Sequence, residues 1–218
     1  MEGRTYGDAC GVARALDVVG ERWALLVVRE LLLGPKRFTD LHRGLGKVSQ
    51  NVLSQRLDEL ARVGVVQRRR LGPPAGSWVY ELTERGSELE PILIELGRWG
   101  RHRPVPSDAK MSADAFILAL KTTFDPSAAG DLQASVDLRL EDDRFKVEVA
   151  DARLAVTRAS AENADATVHT DVETLRDVAF GGRRVDEAAA SGALRVEGDG
   201  DALQHVLDAF AKRATAAG

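Results

Sequence analysis

The stretch "VSQNVLSQRLDELARVGVV", residues 48–66, separates into two faces when it is wound as a helix. With Asn51 at zero and each residue turned by about 100°, Ser54, Gln55, Asp58 and Arg62 fall within roughly 60° of it. Leu53, Leu57 and Leu60 gather on the opposite side, the pattern of a helix with one face in a core. Gln50, Asn51, Ser54 and Gln55 all lie in the first two turns. Asn and Gln pair bidentately with adenine and Ser serves several bases, so this face has the chemistry to read base edges in a major groove. Arg56 sits at the edge of the leucine face, which predicts a phosphate contact or an internal ion pair for it. Arg62, one turn after Asp58, is placed to neutralise that carboxylate.

The flanking segments give this helix a context. Before it, "GERWALLVVRELLLGPKRF" (20–38) places Ala24, Val27, Val28 and Leu31 on one stripe and stops at Gly34 and Pro35, which predicts an almost wholly buried helix. "FTDLHRGL" (38–45) is a short helix ended at Gly46. After it, "VVQRRRL" (65–71) and "WVYELT" (78–83) are β-prone runs joined by "GPPAGS" (72–77), and the Pro and Gly of that joint make a hairpin. From Thr83 as N-cap, "ERGSELEPILIELGRWG" (84–100) carries Leu89, Ile92, Leu93, Leu96 and Trp99 at helical spacing, with a kink expected at Pro91. Helices followed by a two-stranded hairpin describe a winged helix-turn-helix.

Charge points the same way once it is divided. The chain has 218 residues, 44% hydrophobic, and a formal charge of -4, enough apolar content for one large or two small cores. Residues 1 to 106 hold 17 Lys and Arg against 13 Asp and Glu, whereas residues 107 to 218 hold 13 against 21. Between Lys36 and Arg70 nine cations face only Asp40, Asp58 and Glu59. Cations flanking a polar helix supply the sequence-independent phosphate term of DNA affinity. The single cysteine, Cys10, rules out an internal disulfide and fits a reducing compartment. "MEGRTYGDAC" has no apolar signal core, and "WALLVV" is far short of the ~20 residues that cross a bilayer. A cytoplasmic protein with no membrane partner is expected.

"RHRPVPSDAKMS" (101–112) has two prolines, mixed charge and little that is large and apolar, the composition of a domain boundary. The expected division is a first domain at 1–103, a linker at 104–111 and a second domain at 112–218, with a small-residue tail "AKRATAAG". In the second half, "ADAFILALKTTF" reads as a helix, and "LQASVDLRL", "RFKVEVAD" and "RLAVTRA" alternate apolar and polar residues as an antiparallel meander. "ATVHT" is a fourth strand, "DVETLRDVAFGG" and "VDEAAASG" are helices, "ALRVEGD" is a last strand and "DALQHVLDAFAKRA" a closing helix. The fold class is therefore two domains, a mainly-α winged helix-turn-helix and an α+β domain.

No catalytic constellation emerges. His169 and His205 lack fixed-spacing partners, "EGDGD" lacks the bidentate Glu of a calcium loop so that Asp199 reads as a turn and cap, and "GGRR" is weaker than a phosphate loop. No enzyme activity, metal or cofactor is expected.

Two resemblances sharpen these readings. Over residues 8 to 100, Gly20 with Trp23, Arg37 with Phe38, Leu41, Ser49, Leu53 with Ser54, Arg56 with Leu57, Leu60, Gly64, Tyr80 with Leu82 and Thr83, and Gly86 with Leu89 resemble the HxlR-type winged-helix regulators. That resemblance implies a homodimer paired through the first helix and the helix after the wing, on a two-fold operator in double-stranded DNA. The expected DNA-binding set is Lys36, Arg37, Thr39, Lys47, Ser49, Gln50, Asn51, Ser54, Gln55, Arg56, Arg68, Arg69 and Arg70. The wing tip "GPPAGSW" departs from the pattern in having no cation. Cys10 stands where several members of the family carry a redox-sensing thiol; the alternative is an unreactive, half-buried thiol, with Arg14 the one nearby cation to activate it.

The phrases "ADATVHTDVETLRDVAFGG" and "AAASGALRVEGDGDALQHVLDAF" resemble a sterol carrier protein type 2 domain over about residues 112 to 212. The resemblance implies helices packed on one sheet around an apolar tunnel. Phe116, Leu120, Phe124, Phe145, Phe180, Leu203 and Phe210 are candidates for its wall, and each is equally eligible as ordinary core. Three readings stay open: a regulator whose apolar effector, fatty-acyl or sterol-like, sits in the second domain; a regulator sensing oxidants through Cys10 with the second domain as scaffold; and a lipid carrier with a vestigial winged helix.

Overall fold

The computed structural model describes residues 5–73, 75–106 and 109–210. The tail at 211–218, positions 107 and 108 of the expected linker, and Pro74 at the wing tip lie outside the described residues. The chain divides into two compact units, Met1–Leu96 and Gly97–Gly218.

In the first unit, α1 (Gly11–Val19), α2 (Ala24–Leu31), α3 (Phe38–Leu45) and α4 (Gln50–Arg62) precede the hairpin β1 (Val66–Arg70) and β2 (Trp78–Leu82), which is followed by α5 (Glu84–Ser87) and by α6 (Glu90–Gly100), whose residues from Gly97 on fall in the second unit. The stripe Ala24, Val27, Val28 and Leu31 of α2 is buried, as its spacing demands, against Leu41 and Leu45 of α3, the leucines of α4, and Val66 and Val79 of the hairpin. Ser49 starts α4: its Oγ accepts the Val52 N–H at 3.4 Å, satisfying one of the orphan donors of the first turn. The hairpin gains a third short strand where Lys36 and Tyr80 exchange backbone hydrogen bonds of 2.9 and 2.8 Å.

The helix expected over 84–100 is two helices. Pro91 is the second residue of α6, where its missing N–H would have had no intrahelical acceptor in any case, so it starts a helix instead of kinking one. Thr83 caps α5 through the Gly86 N–H at 3.1 Å and donates its own hydroxyl to the Gly64 carbonyl at 2.6 Å. This draws the turn after β2 so close to the end of α4 that a Cβ on Gly86 would lie 2.1 Å from the Val65 carbonyl oxygen.

The second unit runs α7 (Ala113–Thr123), α8 (Pro126–Ala129), β3 (Ala134–Leu140), β4 (Asp143–Ala150), β5 (Arg153–Thr157), β6 (Ala166–Thr170), α9 (Val172–Phe180), α10 (Val185–Ala190), β7 (Leu194–Gly198) and α11 (Gly200–Asp208). The sheet order is β5-β4-β3-β6-β7. The first three strands form the expected meander, while β6 lies parallel to β3 and antiparallel to β7. Residues 158–165 make that return without a helix. Their Ala161 N–H donates to Asp137 Oδ1 at 3.1 Å, so the segment crosses the polar face of β3 and leaves Asp137 only 1% exposed. On the other face Val136, Leu138, Leu140, Phe145, Val147 and Val168 are buried with Phe116, Leu175, Leu203 and Val206 of the helices. Asp171 and Asp199 cap α9 and α11. Arg158 bridges Asp114 on α7, at 2.7 and 2.8 Å, to Asp143, and lies 4.7 Å from the Phe145 ring centre.

Gly86→Ala forces the Val65 backbone to move and is expected to destabilise the first unit by about 2 kcal/mol. Urea unfolding followed by the fluorescence of Trp23 and Trp78 measures it; Glu88→Ala, at an exposed neighbour, should stay within about 0.5 kcal/mol of the parent.

Candidate nucleic-acid interface

Leu53 and Leu57 of α4 are wholly buried and Leu60 is 1% exposed. Their burial fixes the roll of the helix, and Gln50, Asn51, Ser54 and Gln55 are consequently all exposed together on its first two turns. Thr39 and Lys47 are also exposed, as is Arg37, the residue before the first turn of α3. Ser49 is exposed, but its hydroxyl is engaged as the α4 cap. Asp58 and Arg62 share the outer face, and among the described residues no ion pair joins them, contrary to the neutralisation expected from their spacing.

Arg56 does not belong to this surface. Its side chain is 8% exposed and pairs with Glu59 on the next turn and, at 3.7 Å, with Glu21 in the α1–α2 connection. Of the two roles expected for it, a phosphate contact or an internal ion pair, this geometry is that of the second. One guanidinium nitrogen, Nε, is buried with no acceptor. Glu59 in turn accepts from Gln55 Nε2 at 2.9 Å through its other oxygen.

The basic excess between Lys36 and Arg70 is also smaller at the surface than the count suggests, because two carboxylates outside that window reach into it. Lys36 Nζ lies 2.9 Å from Glu30, a residue with no exposed surface that also meets Arg29 at 2.8 Å. Lys36, expected as a DNA contact, thus stands as a counterion of a buried acid. Arg69 lies 2.7 Å from Glu81, which also accepts from Gln67. The cross-strand register explains the sorting: Gln67 stands opposite Glu81, while Arg68 stands opposite Tyr80 and Arg70 opposite Trp78. Alternate side chains take opposite faces of a strand. One face of the hairpin thus holds a neutralised pair and the other a cationic set, with Arg68 stacked over Trp78 at 4.6 Å and near Tyr80 at 5.9 Å, and Arg70 Nε donating to the Gly76 carbonyl at 3.1 Å. Reading "RRR" as one uniform clamp misses this division. It also misses Trp78 and Tyr80 as the platform under Arg68, which the alternation in "WVYEL" already places on one side.

In the second unit the expected tunnel is a narrow seam between sheet and helices. Phe116, Leu120, Leu203 and Phe210 line it together with Val136, Leu138, Val147, Leu175, Val206 and Leu207, and its volume is about 30 Å³. That holds one or two water-sized positions, against roughly 300–1,000 Å³ for a small-molecule site. Three of the expected wall residues lie off it. Phe180 packs on Phe116 with ring centres 5.9 Å apart, Phe124 meets the edge of Phe210 at 6.0 Å, and Phe145 is buried beneath Arg158.

Cys10 is exposed immediately before α1. The backbone N–H groups of Val12 and Ala13 at the open end of that helix hold its thiol pKa below the ordinary value, as the positive end of a helix does for a thiolate. The cause is this helix terminus and not Arg14. Val12 and Leu16 on α1 and Ile92, Leu96 and Trp99 on α6 are apolar side chains left exposed.

Residues 18–107 match the family model described as HxlR-like helix-turn-helix, and residues 108–215 match the one described as alkyl sulfatase C-terminal. The uncharacterized HTH-type transcriptional regulator YvaP of Bacillus subtilis (strain 168) is 38% identical over 94 residues, 43% of this chain and 87% of that protein. The HTH-type transcriptional regulator YodB of the same organism is 33% identical over 94 residues, 43% of this chain and 84% of that one. The solved reduced form of YodB aligns with 46% of this chain and 100% of its own, at 31% identity and a TM-score of 0.40.

Because its folded-state pKa is depressed, the Cys10 thiolate forms at lower pH than that of an unfolded chain. Iodoacetamide labelling followed against pH is expected to reach half its maximal rate at a lower pH in the native protein than in the same protein in urea. Coincident profiles refute the helix-terminus effect.

Proposed function

Because the chain belongs to the HxlR-like helix-turn-helix family, it is a DNA-binding transcriptional regulator, and we propose that it holds a two-fold operator as a homodimer through α4 and the wing. One observation supports this above the others: Gln50, Asn51, Ser54 and Gln55 stand together on the exposed face of the first two turns of α4, with the cationic face of the hairpin as the second contact. In this reading Asn51 and Gln55 meet base edges in the major groove, Gln50 and Ser54 add single hydrogen bonds, and Arg37, Lys47, Arg68 and Arg70 neutralise phosphates. Thr39 and Ser49 border the same surface. The exposed apolar residues of α1 and α6 supply the dimer contact, since a two-fold interface must be self-complementary and apolar side chains satisfy that without charge matching. A regulator of this kind works in the cytoplasm.

For the second unit we infer an apolar effector. The match to a family named for enzymes of alkyl substrates, the sterol-carrier likeness of its element order, and a seam lined only by apolar side chains support it. The seam is narrow, about 30 Å³, so an acyl or sterol-like molecule fits only by parting the α11 side chains Leu203, Val206 and Leu207 from the sheet. Such a ligand alters transcription only if it favours one arrangement of the paired recognition helices over another. A second reading, in which the signal is an oxidant acting on Cys10, is favoured by the exposure of that thiol and its lowered pKa.

Asn51→Ala and Gln55→Ala are each expected to weaken binding to a selected operator by about 5- to 150-fold, the worth of one bidentate base contact. Arg68→Gln and Arg70→Gln should each flatten the slope of log affinity against log salt by about 0.9, and Arg69→Gln by less, because Glu81 already neutralises it. Unchanged affinity in both alanine variants removes α4 as the reading helix.

Native mass spectrometry of the purified protein is expected to show a dimer, with a bound mass after incubation with a long-chain fatty acid, and operator affinity should shift with that occupancy. Constant affinity at full occupancy ends the effector reading. An oxidant response abolished in Cys10→Ser replaces it with the redox one.

A further inference from the structure

Gln55 does not extend freely into solvent. Its Nε2 donates to Glu59 Oε1 at 2.9 Å, and the other oxygen of the same carboxylate takes the Arg56 guanidinium. That guanidinium is almost wholly buried and faces Glu21 as well, at 3.7 Å. Glu59 is thus gripped from the protein side and turns its remaining oxygen toward Gln55.

The chemistry of these groups has two consequences. A carboxylate bound by a guanidinium is ionised and only accepts, so the Gln55 atom against it is the amide nitrogen and never the carbonyl oxygen. The two-fold ambiguity of a glutamine amide is resolved by its neighbour. An amide engaged through the N–H trans to its carbonyl keeps its other N–H beside the carbonyl oxygen, both available to bind. One donor beside one acceptor is the edge that meets N7 and N6 of adenine.

We propose that Glu59 is a specificity-positioning residue: buttressed by Arg56, it holds the Gln55 amide with its donor–acceptor edge presented to an A·T pair in the major groove. The proposal rests on α4 as the reading helix. Neither Glu59 nor Arg56 touches DNA in it. Arg56 neutralises a carboxylate that would otherwise repel phosphate, and Glu59 removes the rotamer freedom that an exposed glutamine would lose on binding. The alternative role for the Gln55–Glu59 pair, a link between adjacent turns that only steadies the helix, gives no reason for base preference to change when Glu59 is removed.

Selection of bound duplexes from a randomised library by the full-length protein, followed by competition with single-base-pair variants of the selected site, distinguishes the two. Gln55→Ala is expected to cut the preference for A·T at one position of each half-site by about 10-fold. Glu59→Ala should cut the preference at that same position by about 3-fold or more, with the other positions and the salt slope unchanged. In Arg56→Met/Glu59→Ala the buried charge leaves with its partner, so a loss seen there as well is not a folding defect. Wild-type preference in both Glu59 variants, with Gln55→Ala flattened, overturns the role of Glu59 and leaves α4 as the reading helix. Wild-type preference in Gln55→Ala overturns both, and selection of G·C at the position Gln55 governs overturns the adenine assignment.

Discussion

The burial of Leu53, Leu57 and Leu60 is the interaction on which the exposed polar face of α4 depends. Removing any one of three such leucines costs about 2–5 kcal/mol. A rotation of α4 by a single residue, about 100°, would expose them and bury Ser54 in their place, so the roll of the helix is set by energies far larger than any contact its polar face makes. Base-reading atoms need positional accuracy that loops do not supply. The exposed polar side chains of α4 have such accuracy from a packed core and from Ser49, whose cap fixes where the first turn begins.

Buried carboxylates decide which cations are left for a polyanion. Glu30 has no exposed surface, and an ionised carboxylate in that position is tolerated only with counterions in contact. Lys36 and Arg29 meet that need. Gly44 is part of the same constraint, because a Cβ there would come 2.2 Å from a Glu30 carboxylate oxygen. Two partly exposed carboxylates add to this: Glu81 takes Arg69 and Glu59 takes Arg56. Each pairing stiffens the module and lowers its surface charge. Arg37, Arg43, Arg62, Arg68 and Arg70 remain exposed cations of this region, with Arg43 still 3.6 Å from Asp40.

Much of this organisation is legible in the sequence because it is written in short-range periodicity. The stripe of α2, the two faces of α4, the Pro/Gly joint of the hairpin, the Thr83 cap and the three-strand meander all follow from spacing within about 15 residues. What is not legible depends on how separate elements pack and pair. Nothing local tells that Glu30 will seek Lys36 or that Glu81 will lie beside Arg69, because the first needs the α2–β2 packing and the second the hairpin register. The parallel pairing of β3 and β6 is hidden because residues 158–165 cross over without the helix that usually announces such a connection. Pro91 carries a local signal with two meanings, a kink or a helix start, and the separate cap at Thr83 selects the second. The aromatic residues of the second half illustrate a different limit. Composition cannot separate Phe116 and Phe210, which line the seam, from Phe145, which is sealed under Arg158.

The narrow seam also constrains what an effector would have to be. Opening it means separating Leu203, Val206 and Leu207 from Val136, Leu138 and Val147, so apolar surface buried in the free protein must be buried again against the ligand. A guest that replaces those contacts restores the protein's own burial, and its net gain is the apolar surface of its own that leaves water. Each further methylene it brings out of water contributes about 0.8 kcal/mol, and this surplus is what offsets the cost of opening. A short apolar molecule therefore cannot hold α11 away from the sheet, whereas a long chain can. The same surplus bounds any influence on the operator, because a ligand shifts an equilibrium only by its difference in affinity for the two states. Chain length, and not headgroup chemistry, is then the variable to which such a site responds, consistent with a lining that offers no polar side chain to recognise one.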